Sequence, residues 1–366
     1  MTKIMAVFGT RPEAVKMAPV VKELRRHPDR LQVQVAVTAQ HREMLDQVCR
    51  VFDIKPDFDL DIMQVGQTLT QVTTRALEGL DKLFSREKPD MILVQGDTVT
   101  VFAGALAAFY NKVAVGHVEA GLRTGNRYDP FPEEMMRRLA GATASLHFAP
   151  TDLARDNLLK ENVAPGSVFV TGNTVIDSLL EVAAKAPGPD PSAPREVLVT
   201  AHRRENWGEP LRRICLALRD LVEQVPDLRV VYALHRNPLV REIAYEVLGS
   251  SDRVELIEPP DYAPFVARMK RSTLIITDSG GIQEEAPSLG KPVLVVRETT
   301  ERPEGVTAGT LKLVGTDRER IVSEALRLLT DPEAYAQMAQ ARNPYGDGKA
   351  SERIAQILLN HFGPTP

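Results

Sequence analysis

Residues 3–8 read KIMAVF and residues 12–26 read PEAVKMAPVVKELRR, a short apolar run followed by an amphipathic stretch with helical periodicity. The same alternation follows at once in LQVQVAVT at 31–38 and REMLDQVCRVF at 42–52. Such alternation is typical of βαβ units, in which parallel strands form a sheet with helices on both faces. The opening of the chain therefore predicts an α/β fold.

The pattern begins again after a proline-rich break. Residues 187–195 read PGPDPSAPR, which cannot continue a helix or a strand because proline fixes φ and lacks an amide donor. Further apolar runs such as EVLVT at 196–200 and TLIIT at 273–277 then alternate with helical stretches. A chain of 366 residues can build two hydrophobic cores. We predict two α/β domains facing across a cleft, with an N-terminal domain at 1–186, a linker at 187–195 and a C-terminal domain at 196–345.

Composition limits the class of protein. No apolar run approaches the roughly 20 residues of a membrane span, and a formal net charge of -4 argues against a nucleic-acid surface. Cys49 and Cys215, one in each half, lie in helical stretches and are interpreted as small core residues. The first residues lead directly into a strand without a signal-like segment, so we expect a cytoplasmic protein.

The residues that follow the apolar runs are polar, as expected where parallel sheets bind ligands beyond the carboxyl ends of their strands. DSGGIQEE at 278–285 places a glycine turn before a helix, where backbone amides can approach a diphosphate. Glu284 or Glu285 could accept hydrogen bonds from ribose hydroxyls. The alternative is a well-capped helix with ordinary turn glycines.

Basic residues occupy two further strand ends. His202 and Arg203 follow EVLVT directly, where they could neutralise phosphate oxygens. Arg11 and Lys16 lie around the first turn of the first predicted helix. A solvated loop is the alternative for the first pair, and a surface cation is the alternative for Lys16.

Asp97, Glu119 and Glu133 are three carboxylates placed after strands or at a helix start in the first half. A carboxylate cluster can supply the paired groups that proton transfer at carbon needs. A Mg²⁺ site is the competing use for the three carboxylates, and helix capping is the alternative for Asp97 and Glu133. The glycine spacings of dinucleotide-binding and P-loop motifs are missing, so we expect no nicotinamide cofactor. No DxD-type pair flanked by strands and no histidine-rich spacing occurs, so we expect no metal either. The lone Trp207 is interpreted as a hinge or packing residue.

With these residues in place, the chain resembles the non-hydrolysing UDP-N-acetylglucosamine 2-epimerase family over nearly its whole length. The matching blocks, in family order, are FGTRPEAVKMAPV, TAQHREMLDQV, GDT, HVEAGLRTG, FPEEMMRR, TGNTVIDSL, HRREN, TDSGGIQEEAPSLGKPVLVVR, TTERPE and NPYGDG. The resemblance implies the GT-B architecture of two Rossmann-like domains. It also implies that UDP is held mainly by the C-terminal domain and that the final helix, within 346–366, crosses back to the first domain.

The resemblance further implies an isomerase that interconverts UDP-N-acetylglucosamine and UDP-N-acetylmannosamine without a cofactor, by anti elimination of UDP to 2-acetamidoglucal and re-addition. Its partners would be the UDP-sugar and UDP, without nucleic acid or membrane. It would be a homodimer that supplies precursors for cell-surface polysaccharide. The rival interpretations are a GT-B glycosyltransferase and a non-catalytic UDP-sugar sensor.

Residue by residue, the resemblance assigns catalytic positions to Asp97, Glu119, Glu133 and His202. The matching substrate-binding positions are Arg11, Lys16, Arg137, Phe265, Ser279, Gly280, Gly281, Glu285 and Arg302. Gln40, Arg203 and His235 match a second site where some members bind UDP-N-acetylglucosamine as an activator. Glu43 and Gly66 depart from that site, since one version of it has glutamine and arginine there.

Overall fold

The computed structural model describes residues 1–39, 42–64, 66–190 and 192–363, without the side chains of Arg42 and Glu43. The contacts between Cα atoms divide the chain into two compact units. Unit 1 comprises Met1–Ser178 and Tyr345–Pro366, and unit 2 comprises Leu179–Pro344. The division falls inside a helix, Thr174–Lys185, and so lies earlier in the chain than the predicted boundary after residue 186.

Unit 1 contains a seven-stranded parallel sheet in the order β3-β2-β1-β4-β5-β6-β7. Its strands are β1 Thr2–Phe8, β2 Leu31–Val37, β3 Phe58–Asp59, β4 Met91–Gln95, β5 Ala114–Val118, β6 Leu146–Ala149 and β7 Val168–Val170. Its helices are α1 Arg11–Leu24, α2 Arg42–Val51, α3 Leu69–Glu87, α4 Val99–Tyr110, α5 Glu133–Thr143, α6 Asp152–Lys160, the first part of α7 Thr174–Lys185, and α15 Ala350–His361. The last helix, α15, packs against α1 of the same unit.

Unit 2 contains a six-stranded parallel sheet in the order β10-β9-β8-β11-β12-β13. Its strands are β8 Arg195–Thr200, β9 Leu228–Ala233, β10 Val254–Ile257, β11 Leu274–Thr277, β12 Val293–Val295 and β13 Leu311–Leu313. Its other helices are α8 Glu209–Gln224, α9 Pro238–Leu248, α10 Tyr262–Arg271, α11 Gly280–Glu285, α12 Pro303–Thr307, α13 Arg318–Thr330 and α14 Pro332–Ala339. Two parallel sheets with helices on both faces confirm the predicted α/β class.

The apolar runs become fully buried strands because helices cover both faces of a parallel sheet. All five residues of β4 are buried, and the core of unit 1 forms between the sheet and α3 and α4. The core of unit 2 packs α8, α9 and α13 against its sheet. Cys49 and Cys215 are buried and free, which confirms their interpretation as core residues. Among the described residues, no helix is both long and apolar enough to cross a membrane.

Each sheet reverses its strand order beside its first strand, between β1 and β4 in unit 1 and between β8 and β11 in unit 2. A hydrogen bond between two threonine hydroxyls lies at each reversal. Thr38 and Thr100 are 2.8 Å apart in unit 1, and Thr200 and Thr277 are 2.7 Å apart in unit 2. Because the connections leave on opposite sides at such a point, the loops separate there and leave room for a ligand.

The end of β1 is packed so closely that only glycine fits at position 9. A Cβ atom there would collide with the hydroxyl of Thr38 and lie 2.5 Å from that of Thr100. We expect Gly9→Ala to destabilise the protein by about 1–3 kcal/mol, the usual cost of overpacking, measured as a lower urea midpoint. Gly166→Ala is the control because a Cβ atom at that exposed position meets nothing within 4 Å. Equal midpoints for the two variants would contradict this explanation.

Candidate active site

A buried ion pair lies at the end of β5 in unit 1. The Lys16 ammonium contacts the Glu119 carboxylate, which also accepts a hydrogen bond of 2.7 Å from the Gln95 side chain. Glu119 is 9% exposed and has a φ of 62°, an uncommon backbone conformation for this residue type. Lys16 is therefore not the surface cation of the alternative interpretation, since it fixes a carboxylate at the strand end.

Asp97 lies two residues after β4 and forms a second ion pair, with its carboxylate 2.6 Å from the Arg137 guanidinium. Burial raises the pKa of Asp97 above its usual value, Arg137 opposes that effect, and the negative charge of Glu119 adds to it. Because the charges of both Glu119 and Lys16 act on Asp97, the two ion pairs belong to one cluster. The Asp97 side chain keeps 30% of its surface exposed, so a ligand can reach it.

Glu133 is the first residue of α5 and is partly exposed, whereas its neighbour Glu134 is fully buried. Glu134 accepts hydrogen bonds from the amides of Thr124 and Gly125, and its carboxylate lies 3.5 Å from Arg137. Sequence reasoning missed Glu134, although it stands in the same FPEEMM block. Two adjacent acids thus differ: one holds a loop and an arginine in place, and the other remains accessible.

The proposed capping role for Asp97 and Glu133 is wrong. The N-cap of α4 is Thr98, whose hydroxyl accepts a hydrogen bond from the amide of Val101. The N-cap of α5 is Pro132. Both acids lie one position away from the cap, so neither is the N-cap residue, although Glu133 lies in the first turn of α5.

His117 is a buried residue of β5 that sequence reasoning did not identify. Burial lowers its pKa to about 4, so the ring is neutral at pH 7. Its Nε2 lies 2.7 Å from the carbonyl oxygen of Gly96 and must carry the proton, because a carbonyl can only accept. The hydrogen bond fixes the turn that presents Asp97.

Glu13 joins two loops of unit 1 and was also missed. Its carboxylate accepts hydrogen bonds from the amides of Gly9 and Thr10 at 3.1 and 2.8 Å and from the Thr98 hydroxyl at 2.8 Å. It is 1% exposed, and burial raises its pKa to about 7 against the pull of those hydrogen bonds. The spacing Thr10-x-x-Glu13, typical of a helix capping box, was an available signal.

In unit 2, the buried carboxylate of Asp278 organises the loop after β8. One of its oxygens accepts hydrogen bonds from the amides of His202 and Arg203 at 2.7 and 2.8 Å and from the Asn206 side chain at 3.0 Å. Trp207 donates its indole hydrogen to the carbonyl of His202 and packs partly buried on the core. This agrees with its interpretation as a packing residue.

The ring of His202 stacks on that of His235, with centroids 5.3 Å apart and planes 9° from parallel. Burial lowers the pKa of His202, the carboxylate of Asp278 opposes the shift, and His235 reinforces it. A neutral ring at pH 7 acts as a hydrogen-bond donor or acceptor, so in this environment the arginines are the residues that supply positive charge.

Two guanidinium groups lie above the glycine turn. A Cβ atom on Gly280 would be 3.7 Å from Arg302 and 4.0 Å from Arg203. Glu284, which is 2% exposed, is bound to the Arg302 guanidinium and thereby sets its position. Glycine at 280 leaves the space in front of both cations open, which suits an anionic group such as a diphosphate.

The remaining predicted residues of unit 2 surround the same turn. Ser279 is the N-cap of α11, and a Cβ atom on Gly281 would lie 4.0 Å from the Glu285 carboxylate. Glu285 accepts a hydrogen bond of 2.9 Å from the hydroxyl of Tyr262, one helical turn before the partly buried Phe265. Sequence reasoning did not identify Tyr262. Its hydroxyl fixes Glu285, the acid expected to accept hydrogen bonds from a ribose.

Some predicted positions are not connected to these clusters. Arg11 opens α1 but makes no hydrogen bond or ion pair with another described residue. Of the three activator positions, Arg203 and His235 lie in unit 2, and Gln40 lies outside the described residues. The described part of the chain contains no group of three histidine, cysteine or acidic side chains that could hold a metal ion.

The two doubly wound units, one with carboxylates and the other with arginines beyond its strand ends, define a protein of the GT-B class. A crystal structure of UDP-GlcNAc 2-epimerase from Neisseria meningitidis bound to UDP-GlcNAc superimposes with a TM-score of 0.88 and 49% identity, over 98% of this chain and 100% of that chain.

Sequence comparison gives the family. UDP-N-acetylglucosamine 2-epimerase from Bacillus subtilis strain 168 is 59% identical over 365 residues, which cover 99% of this chain and 96% of the relative. The enzyme of the same name from Escherichia coli K12 is 55% identical over 373 residues, covering 98% and 99%. The family model described as UDP-N-acetylglucosamine 2-epimerase matches residues 22–359. The chain belongs to the UDP-N-acetylglucosamine 2-epimerase family, as the sequence blocks predicted.

The raised pKa of Glu13 predicts how the stability of the fold depends on pH. A carboxyl with a pKa of about 7 in the folded protein and 4.5 when unfolded favours folding below pH 4.5, and this contribution is lost as pH rises to 7. Glu13→Gln removes the titration. The free energy of unfolding of this variant, relative to that of the unchanged protein, should therefore rise by about 3 kcal/mol between pH 4.5 and pH 7 and then level off.

Urea unfolding at half-unit steps of pH measures this difference. Glu78→Gln, an exposed position on α3, is the control and should give a difference that does not change over the same range. A Glu13→Gln curve parallel to that of the unchanged protein would show that Glu13 titrates normally.

Proposed function

We propose that this protein interconverts UDP-N-acetylglucosamine and UDP-N-acetylmannosamine by inverting C2, without hydrolysis and without a nicotinamide cofactor. The family and the names of its relatives support this activity. The observation that carries the proposal is the cluster of Asp97 with Arg137 and Glu119 with Lys16, since it joins two carboxylates to two cations and leaves Asp97 open to a ligand.

The nucleotide half of the substrate would bind unit 2. Arg203 and Arg302 would donate hydrogen bonds to the diphosphate in front of Gly280, and Glu285 would accept hydrogen bonds from the ribose. When the bond between C1 and the diphosphate oxygen breaks, negative charge grows on that oxygen. The Arg302 guanidinium, which Glu284 already holds in place, stabilises this charge without reorganising, which lowers the barrier.

The proton transfers would belong to unit 1. A base removes the proton from C2 while UDP leaves C1, giving 2-acetamidoglucal, and UDP then returns as a proton is delivered to the opposite face of C2. Two proton-carrying groups are needed because the two faces differ. A carboxylate whose pKa is raised, as at Asp97, is a stronger base than an ordinary one. Glu119 and Glu133 are the other candidates in unit 1, and the neutral His202 of unit 2 is a further candidate.

We further propose, from the family resemblance, a cytoplasmic homodimer whose product enters cell-surface polysaccharide synthesis. Binding of a second UDP-N-acetylglucosamine through Gln40, Arg203 and His235 stays a prediction. Glu43 would bring a negative charge near its phosphates and Gly66 would remove a cation, so we expect any such activation to be weak.

Exchange with solvent tests the reaction directly. Incubation with UDP-N-acetylglucosamine alone in D₂O should give both epimers with deuterium at C2, because the proton removed by the enzyme exchanges before the second half-reaction. Mass spectrometry and separation of the epimers measure this. Product without deuterium would indicate an internal hydride shift, and no epimer at all would favour a glycosyltransferase or a sensor.

Substitutions test the separate contributions of the two units. Asp97→Asn and Glu119→Gln should lower kcat by about 10²-fold or more while keeping UDP affinity, the usual effect of losing a general acid or base. Arg302→Gln should instead weaken UDP binding by about tenfold, since a charge-assisted hydrogen bond is lost. Arg212→Gln, which removes only an exposed ion pair with Glu246, is the control for the arginine change. Loss of UDP affinity in the carboxylate variants would overturn this assignment.

A further inference from the structure

Unit 2 has a groove beside β13 that none of the predicted site residues lines. Its volume is about 500 Å³, within the range of pockets that bind small organic molecules. It lies between the end of α12, the edge strand β13 and the helices α13 and α14. The residues that line it include Val306, Leu311, Lys312, Arg320, Arg327 and Met338.

The groove is long enough for an extended ligand. Arg320 and Arg327 are seven residues apart on α13, so they lie two turns apart on one face of that helix, roughly 10 Å along its axis. The two cations therefore lie along the length of the groove.

The floor of the groove is apolar. Leu311, Ala334 and Met338 are buried at 2%, 8% and 9% exposure, and Val306 on the wall is 36% exposed. Water in contact with such a surface is displaced favourably by an apolar body. A purely polar ligand would gain nothing from this part of the groove.

The rim of the groove is positive. Lys312 and Arg327 share one carboxylate, that of Glu324, at 2.6 and 3.0 Å. Arg320 donates to the backbone carbonyl of Leu313, a neutral acceptor. Three cations thus line the groove, the Glu324 carboxylate pairs with two of them, and no acidic side chain is among the described residues that line it. An arginine has five N–H donors and a lysine has three, so donors remain for an anion.

We propose that this groove is a second ligand site in unit 2, for a small molecule with an apolar body and one anionic group, such as a sulfonate, a carboxylate or a phosphate monoester. The apolar part would lie on Leu311 and Met338, and the anion would be held by Arg320 and Lys312. This proposal does not depend on the proposed epimerase activity.

A fluorescent probe of this chemistry tests the proposal on the full chain. 8-Anilinonaphthalene-1-sulfonate is titrated in the presence of saturating UDP, which occupies the nucleotide site. We expect saturable binding of one equivalent, at least tenfold tighter than that of N-phenyl-1-naphthylamine, a neutral analogue without the sulfonate. Absence of saturable binding, or equal affinity for the two probes, would refute the proposal.

Two variants locate the bound probe. Gln337→Glu adds a negative charge to an exposed residue of the groove without changing the shape of the side chain, and Arg320→Gln removes a positive charge. Each should weaken sulfonate binding at least threefold and leave the neutral probe unaffected. Gln340→Glu is the matched control, because Gln340 is also exposed, lies three residues away and is not part of the lining. Equal weakening in Gln340→Glu, or none in the other two variants, would place the probe elsewhere.

Discussion

A buried carboxylate that accepts hydrogen bonds from two consecutive backbone amides holds the first loop of each unit. Glu13 binds the amides of Gly9 and Thr10 after β1, and Asp278 binds those of His202 and Arg203 after β8. The loops that follow the first strands leave the sheet, so their amides have no partner in the ladder and would be costly to bury alone. A single acid meets this need in each unit and in doing so fixes the positions of the residues around it.

The two carboxylates lie at very different distances along the chain from the loops that they hold. Glu13 lies just after the loop that it holds, whereas Asp278 follows β11, the strand that neighbours β8 in the sheet but is distant in sequence. Both nevertheless join the two loops on either side of the point where the strand order reverses, since Glu13 also binds Thr98 after β4. A change in either carboxylate should therefore disturb two loops at once.

Charge is arranged differently beyond these fixed loops. In unit 1 the carboxylates of Asp97 and Glu119 each pair with a cation, and in unit 2 the cations near Gly280 are arginines, of which Arg302 is held by the buried Glu284. A buried ion pair adds little to the stability of the fold because both charges lose their hydration. These ion pairs are therefore better explained by the positions in which they hold Asp97, Glu119 and Arg302. Pairing with a cation also keeps a desolvated carboxylate charged and available for proton transfer, as at Asp97.

The sequence by itself determined the α/β class, the existence of two sheets and the strand ends at which the polar residues lie, because these depend on local periodicity and on glycine and proline. It also identified Asp97, Glu119, Lys16 and Arg302 as residues of interest. Only the tertiary structure decided that Lys16 binds Glu119, that Glu134 is buried while Glu133 is accessible, and that Glu13 has a raised pKa. Those properties follow from strand order and from burial, which bring together residues far apart in the chain, and no local pattern records them.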